Sequence, residues 1–405
     1  MYIQRAMEER IEKLAGFFPV LMICGPRQVG KTTMLKELAG RWVRQVNYVT
    51  LDFPQVRALA KEDPELFLQQ YVPPVIIDEI QYAPELLPYI KIRVDENPEK
   101  GQYFLTGSQM FHMMRNVSES LAGRVGILTL YSLSQSEMEG RENKAFLPSD
   151  VKMTGGNLNV SEIFERIYKG SMPAVKVNEG MPVEEYYGSY MQTYLERDIR
   201  DLVKIKDESR FLKFIACVAA RTGQEVVLAD LSRDTEIDGK TAENWLSLLQ
   251  SSGLIYLLPP YYNNTIKRIV KRPKLYFMDT GLACYLSLWN NPRALELSAM
   301  AGAMFETYVI SEIIKSYANA GIDTRNRLCY YRDNNNKEID LIILENGKAY
   351  PVEIKKSANP GKSAVKHFGV LEDMGLDVGE GAVVCMSPMI LPIDEKNRYV
   401  PVGCI

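Results

Sequence analysis

Residues Gly25-Pro26-Arg27-Gln28-Val29-Gly30-Lys31-Thr32 set two glycines, a lysine and a hydroxyl at the spacing G-x-x-x-x-G-K-[ST]. Each residue type has a job in that pattern. Glycines let the backbone turn its N–H groups inward around an anion. A lysine adds a compact positive charge, and the hydroxyl after it can ligate magnesium. The chemistry is the capture of a nucleotide triphosphate. Contacts are expected from Gly25 through Thr33, with Lys31 on the β- and γ-phosphates and Thr32 on the metal. A second group of residues complements the first. Val75-Ile76-Ile77 runs into Asp78-Glu79. Asp78 is expected to hold magnesium, largely through water, and Glu79 to orient and deprotonate the attacking water. A chance glycine turn and a strand ending in solvated acids are the plain alternatives. Their occurrence together, in this order, argues against both.

Positioning these groups takes a strand, a loop and a helix. Val20-Leu21-Met22-Ile23 is an apolar run that reads as a buried strand, and Thr33–Leu38 has helical spacing. The helix start adds its positive dipole end to the loop. Further along, strands are expected at Val20–Cys24, Val46–Leu51, Val75–Asp78, Tyr103–Thr106 and Gly126–Leu130, with helices such as Thr32–Ala39 and Pro84–Glu96 between them. Such alternation predicts an α/β fold with a parallel sheet, whose carboxyl edge binds the ligand. The strand at Val46–Leu51 falls between the two motifs. With Glu79 after Asp78, it resembles the additional-strand, catalytic-glutamate branch of phosphate-loop NTPases, which includes the AAA+ proteins. By that resemblance Ser108 or Thr106, at the end of the fourth strand, is a polar sensor near the γ-phosphate; an ordinary polar turn is the alternative. Arg124, near the fifth strand, is a candidate sensor or arginine finger, in its own chain or across a subunit boundary. A surface ion pair is the alternative for it.

A chain of 405 residues has room for two to four domains, and 46% apolar residues is ordinary for a globular protein. A net charge of −3 excludes a global basic field, so any nucleic-acid contact must be local. The six cysteines form no C-x-x-C pair, and with only His112 and His367 there is no zinc spacing. Reduced buried thiols and a cytoplasmic location are expected. Met1-Tyr2-Ile3-Gln4-Arg5 lacks an apolar signal region, and no apolar run reaches the ~20 residues that cross a bilayer.

Four domains are expected: an ATPase core at 1–135, a helical lid at 136–205, a winged helix at 206–282 and a nuclease-like domain at 283–405. Glu139–Asn159 is polar and glycine-rich and reads as a loop. Glu184–Val203 is a long helical segment whose aromatic stripe suits core packing. Helices at Phe211–Arg221, Val226–Ser232 and Asp238–Leu249, the last capped by Asp238 or Thr241, precede strands Leu254–Leu258 and Lys274–Met278. That is the layout of a winged helix. Lys267, Arg268, Lys271, Arg272 and Lys274 supply five cations in eight residues between and beside the strands. They are candidates to grip DNA phosphates, or simply to solvate a hairpin.

The tail carries a second constellation. Glu306 lies on a helical stretch, Asp340 in the strand Glu338–Ile343, and Glu353 with Lys355 in the strand Ala349–Lys355 after an Asn346-Gly347 turn. Alternation puts Glu353 and Lys355 on one face. Carboxylates with a lysine at one sheet end can bind a hard divalent cation and activate water. The order helix-Glu, Asp, Glu-x-Lys resembles the PD-(D/E)xK nuclease core. Pro351 suggests an edge strand or a strand start.

Taken whole, the chain resembles a bacterial and archaeal ATPase family with an AAA-type N-terminal domain and a DUF4143 C-terminal region. Gly25–Thr32, Ile77–Gln81, Leu105–Ser108, Leu121–Arg124, Tyr194–Asp198, Tyr276–Leu282 and Val352–Lys355 carry the resemblance. It implies ATP binding with Mg2+, hydrolysis, a winged helix and a restriction-endonuclease-like tail. Two functions remain open: ATP-driven handling of nucleic acid, and a nucleotide-controlled switch with an inactive tail and protein partners. AAA+ relatives form rings, which makes a homo-oligomer a third question.

Overall fold

The computed structural model describes residues 2–107, 120–153, 158–194, 208–261 and 272–405. These residues form two compact units: Met1–Leu133 with Ser251–Gly253 and Ala318–Gly321, and the remainder from Ser134 to Ile405.

The first unit is built on five parallel strands: β1 (Val20–Cys24), β2 (Asn47–Thr50), β3 (Val75–Asp78), β4 (Tyr103–Gly107) and β5 (Val125–Thr129), in the order β2-β3-β4-β1-β5. Continuous apolar sequence explains the three inner strands. Every residue of β1, β3 and β4 is buried, as suits strands covered on both faces. The two edge strands are only partly buried. Their ends shift by a residue or two from the expected ones, and β4 inserts between β1 and β3. Around the sheet lie α1 (Met7–Ala15), α2 (Lys31–Ala39), α3 (Pro54–Glu62), α4 (Pro64–Gln70) and α5 (Leu86–Glu96). Prolines start α3 and α4, where a missing N–H costs nothing, and Asp63 caps α4. Met22, Phe67, Ile77, Leu86, Ile90 and Leu105 meet in the core.

The second unit begins with helical segments. The helix Val160–Lys169 opens on a capping box between Asn159 and Glu162. Next, at Lys169-Gly170-Ser171, the chain meets Asp279. That carboxylate accepts from Ser171 N at 2.9 Å, Tyr187 OH at 2.6 Å and Leu282 N at 2.9 Å, capping the helix Thr280–Leu286. A Cβ on Gly170 or Gly281 would collide with Tyr187 Oη, so both glycines are needed for the close approach. The Asp279-Thr280-Gly281 motif is therefore a packing junction. The expected helix over Glu184–Val203 is present as Val183–Tyr194; 195–203 lie outside the described residues.

Helices Glu208–Ala219, Leu228–Thr235 and Gly239–Ser251 follow, with Phe211 and Phe214 set edge-on to Trp245. Asp238, of the two candidates, caps the third helix through Thr241 N at 2.9 Å. Strands β6 (Gln224–Glu225), β7 (Ile255–Leu258) and β8 (Lys274–Phe277) pair antiparallel in the order β6-β8-β7.

The C-terminal sheet contains β9 (Leu328–Arg332), β10 (Glu338–Glu345), β11 (Lys348–Lys355), β12 (Asp377–Val378), β13 (Gly381–Cys385), β14 (Leu391–Pro392) and β15 (Asn397–Pro401), beside the helix Ala301–Asn319. Its order is β14-β15-β13-β11-β10-β9, with β12 also on β11. Asn346 and Gly347, at φ 50 and 79, make the expected hairpin turn. Pro351 corrects one expectation, because it sits in an inner strand. There β12 pairs at Lys348–Ala349 and β13 only from Val352 onward, so Pro351 falls in the gap where no N–H is required.

Candidate functional site

The glycine loop joins β1 to α2. Gly25 and Gly30 have φ 139 and 90, and Gln28 has φ 60. A Cβ on Gly25 would drive into Leu130 O, so glycine is required there on both counts. Gly30 caps α2 without a side-chain bond, which leaves the N–H groups of the first turn to face an anion. Lys31 is buried, and its ammonium donates to Gly25 O at 3.0 Å and Pro26 O at 2.7 Å. Burial lowers its pKa, opposed by Glu79, Cys24 and Asp78. A buried cation held by loop carbonyls, without a carboxylate bonded to it, suits an incoming phosphate.

The acids meet the loop. Asp78 Oδ1 accepts from Thr32 Oγ1 at 2.7 Å, and Oδ2 accepts from Tyr48 OH at 3.0 Å. Thr106 also donates to Asp78 Oδ1 while its Oγ1 accepts from Glu79 N at 3.2 Å. Glu79 takes the left-handed conformation at φ 59, and its carboxylate accepts from Gln81. The structure thus brings Lys31, Thr32, Asp78 and Glu79 together at the carboxyl ends of β1 and β3. Thr32 and Asp78 offer magnesium a hydroxyl and a carboxylate side by side, a donor set that fits a hard cation.

Three supporting residues went unnoticed or unsettled in the sequence. Tyr48 reaches Asp78 because β2 pairs with β3 in register, Thr50 opposite Asp78. Thr106 bridges both acids because β4 lies between β1 and β3. Ser108, the other sensor candidate, lies outside the described residues. Arg5, only 3% exposed, donates to Val29 O at 2.7 Å and Tyr131 O at 2.8 Å and holds the loop from behind. Its sole sequence signal was an arginine near the start of the chain.

Arg124 is elsewhere. Its carbonyl pairs with Val20 N at 3.3 Å, at the start of β1, whereas the loop follows the other end of that strand. Its guanidinium is bonded to Asp95. Within its own chain this is the surface ion pair and not the γ-phosphate sensor.

The tail residues do converge, in an arrangement the sequence did not foretell. Lys355 Nζ lies 2.6 Å from Glu353 Oε1, and Asp340 Oδ2 accepts from Ile354 N at 2.8 Å. Lys274, counted with the wing cations, is buried and points inward. Its ammonium is 3.1 Å from Glu306 Oε1, 2.5 Å from Glu338 Oε1 and 3.7 Å from Asp340 Oδ1. Tyr276 OH donates to the same Glu306 oxygen at 2.6 Å. Burial, and then Asp340, push Glu353 up to about 8, against the pull of Lys355. The same two causes raise Glu306. Among the described residues no group of three or more His, Cys, Asp or Glu is arranged to hold a metal ion. An ammonium therefore stands beside Glu306 and Asp340, two of the three acids expected to hold a divalent cation. Lys267, Arg268 and Lys271 lie outside the described residues.

Comparison with known proteins agrees with the nucleotide geometry. Residues 18–139 match the AAA domain family, so the chain carries an AAA-type phosphate-loop domain at its N-terminal end. Residues 301–405 match a domain of unknown function, DUF4143, and 160–293 match another, DUF8612. The DUF4143 match is thus confined to the tail and does not extend over the middle region. Over 398 residues the chain is 27% identical to the uncharacterized protein Rv2008c of Mycobacterium tuberculosis, covering 98% of this chain and 83% of that protein. The same figures hold for Mb2031c of Mycobacterium bovis. Among solved structures, the Walker-type ATPase paby2304 of Pyrococcus abyssi is 17% identical, with 70% of this chain and 96% of that chain covered and a TM-score of 0.46. AMPPCP-bound DnaA from Aquifex aeolicus is 14% identical, with 60% and 85% covered and a TM-score of 0.30. Among the described residues, no helix is long and apolar enough to cross a membrane.

Proposed function

We propose that the N-terminal domain binds ATP with magnesium and hydrolyses it. The observation that carries this reading is the meeting of Lys31, Thr32, Asp78 and Glu79 at one sheet edge. Bound magnesium neutralises charge on the phosphates and aligns them. Thr32 and Asp78 hold that ion, and the loop from Gly25 to Thr33 holds the phosphates. Lys31 leaves its two carbonyl partners for the phosphate oxygens. Glu79 orients the attacking water and takes its proton, and Gln81 fixes the rotamer of that carboxylate. Glu79→Gln separates binding from turnover. Phosphate release should fall by about 10²–10⁴-fold, the range for a lost general base, while ATP still binds. Undiminished release in that variant overturns the assignment.

The output of turnover has two readings. The helices Glu208–Ala219, Leu228–Thr235 and Gly239–Ser251 and the small β6-β8-β7 sheet support a winged-helix reading, and with it nucleic acid as the partner. The Lys274 ammonium among the acids of the tail supports a nucleotide-controlled switch whose tail cuts nothing. Stimulation of ATP turnover by duplex DNA, lost in Arg272→Ala, favours the first; turnover indifferent to DNA favours the second.

A further inference from the structure

We propose that the Lys274 ammonium takes the place of a divalent cation in the C-terminal domain, making Glu306, Glu338 and Asp340 a closed ion-pair site that neither binds metal nor cleaves a phosphodiester. The inference is independent of the nucleotide reading, since no residue is shared between the two sites.

Geometry carries it. The Glu-Asp-Glu-x-Lys set gathers at one end of β10 and β11, as a hydrolytic metal site would require, but a second ammonium, that of Lys274, stands beside its Glu306 and Asp340. Lys274 enters from β8, a strand distant in sequence from the tail, and its side chain is 4% exposed. An ammonium has three donors. Glu306 and Glu338 take two of them at hydrogen-bond distance, at 3.1 and 2.5 Å, and Asp340 lies within ion-pair range at 3.7 Å. Tyr276 OH and Ile354 N satisfy further lone pairs of Glu306 and Asp340. Oxygen ligands approach magnesium or calcium at about 2.0–2.6 Å. A divalent ion drawn to these same oxygens would sit in contact with the ammonium, and the two cations would repel. Lys355, the lysine of the motif, is spent on Glu353 at 2.6 Å.

The cluster has a structural role in place of catalysis. It pins β8 to β10 and to the helix Ala301–Asn319, joining the central sheet to the tail. Tyr330 OH, bonded to Arg272 O at 2.6 Å, reinforces the same junction.

The test is Mn2+ binding to the full, nucleotide-free chain, read by the free-ion paramagnetic resonance signal. Asp340→Asn separates the tail from the Thr32–Asp78 site. The wild-type chain and Asp340→Asn should bind the same amount of Mn2+. Lys274→Met, which keeps the stem and removes the charge, should gain about one equivalent of Mn2+ at an oxygen site. The gain should vanish in Lys274→Met/Asp340→Asn, and added Mn2+ should raise the melting temperature of Lys274→Met alone. Mn2+ bound by the wild-type chain and lost in Asp340→Asn would overturn the proposal. So would a folded Lys274→Met that gains none. Should Lys274→Met not fold, the wild-type and Asp340→Asn comparison decides by itself.

Discussion

Replacing Thr106 by valine removes one hydroxyl and disturbs both acids of the nucleotide site. Thr106 is 0% exposed; it donates to Asp78 Oδ1 and accepts from Glu79 N at 3.2 Å. Valine matches the shape but not the polarity. A hydrogen bond to a charged group is worth about 1.5–3 kcal/mol, and a donor left unpaired in a partly buried place costs about 1 kcal/mol or more. Asp78 keeps Thr32 and Tyr48, so it stays roughly in place. Glu79 fares worse. Its left-handed backbone at φ 59 is an uncommon conformation for a glutamate, and the Thr106 bond is what secures its N–H. If about 1.4–2.8 kcal/mol of this reaches the transition state, kcat falls about 10- to 100-fold. ATP affinity should change by less than about threefold, roughly 0.6 kcal/mol, because Lys31 and the loop are untouched. Phosphate release at saturating ATP and magnesium gives kcat, and calorimetry gives Kd. Thr106→Ser keeps the hydroxyl and should recover most of the rate. The reasoning fails if Thr106→Val turns over normally, or if Thr106→Ser is as slow as Thr106→Val.

Arg124→Ala should leave turnover within about twofold, since its guanidinium pairs with exposed Asp95 at the strand-start end of β1 and an exposed pair contributes little; a loss of tenfold or more in steady-state release would put Arg124 back at a γ-phosphate. In the tail, burial and Asp340 raise Glu353 from 4.5 to about 8. Between those values the folded chain keeps a proton that the unfolded chain has released, so the stability of this region falls as pH rises through the window. Glu353→Gln should flatten that slope, measured as the urea midpoint at the two ends of the window, and an unchanged slope contradicts the shift.

Legibility followed how local each signal was. The glycine loop, its flanking strand and helix, and the acids after β3 could be read because a few adjacent residues specify both conformation and chemistry. Burial on both faces also made β1, β3 and β4 stand out as apolar runs. Strand order is a different matter. That Thr106 faces Asp78 depends on β4 inserting between β1 and β3, and that Tyr48 reaches it depends on the register of β2; neither leaves a mark in periodicity. Arg124 was near a strand in sequence, yet which end of the sheet it occupies follows from chain direction in three dimensions. Lys274 shows the same limit more sharply. In sequence it closes a basic hairpin, and only the pairing of β8 beside β6 and β7 turns its side chain into the tail's carboxylates. Pro351 misled for a related reason, since the gap between β12 and β13 that tolerates it is made by two strands far along the chain.

The central claim is that the loop around Lys31 captures a magnesium–triphosphate pair. Titrating the purified chain with ATP and magnesium in a calorimeter tests it directly. Saturable binding to the wild-type chain should weaken by about 100-fold or more in Lys31→Ala, the loss of a charge-assisted contact worth roughly 3 kcal/mol. No binding to the wild-type chain, or equal binding to both, would contradict the account.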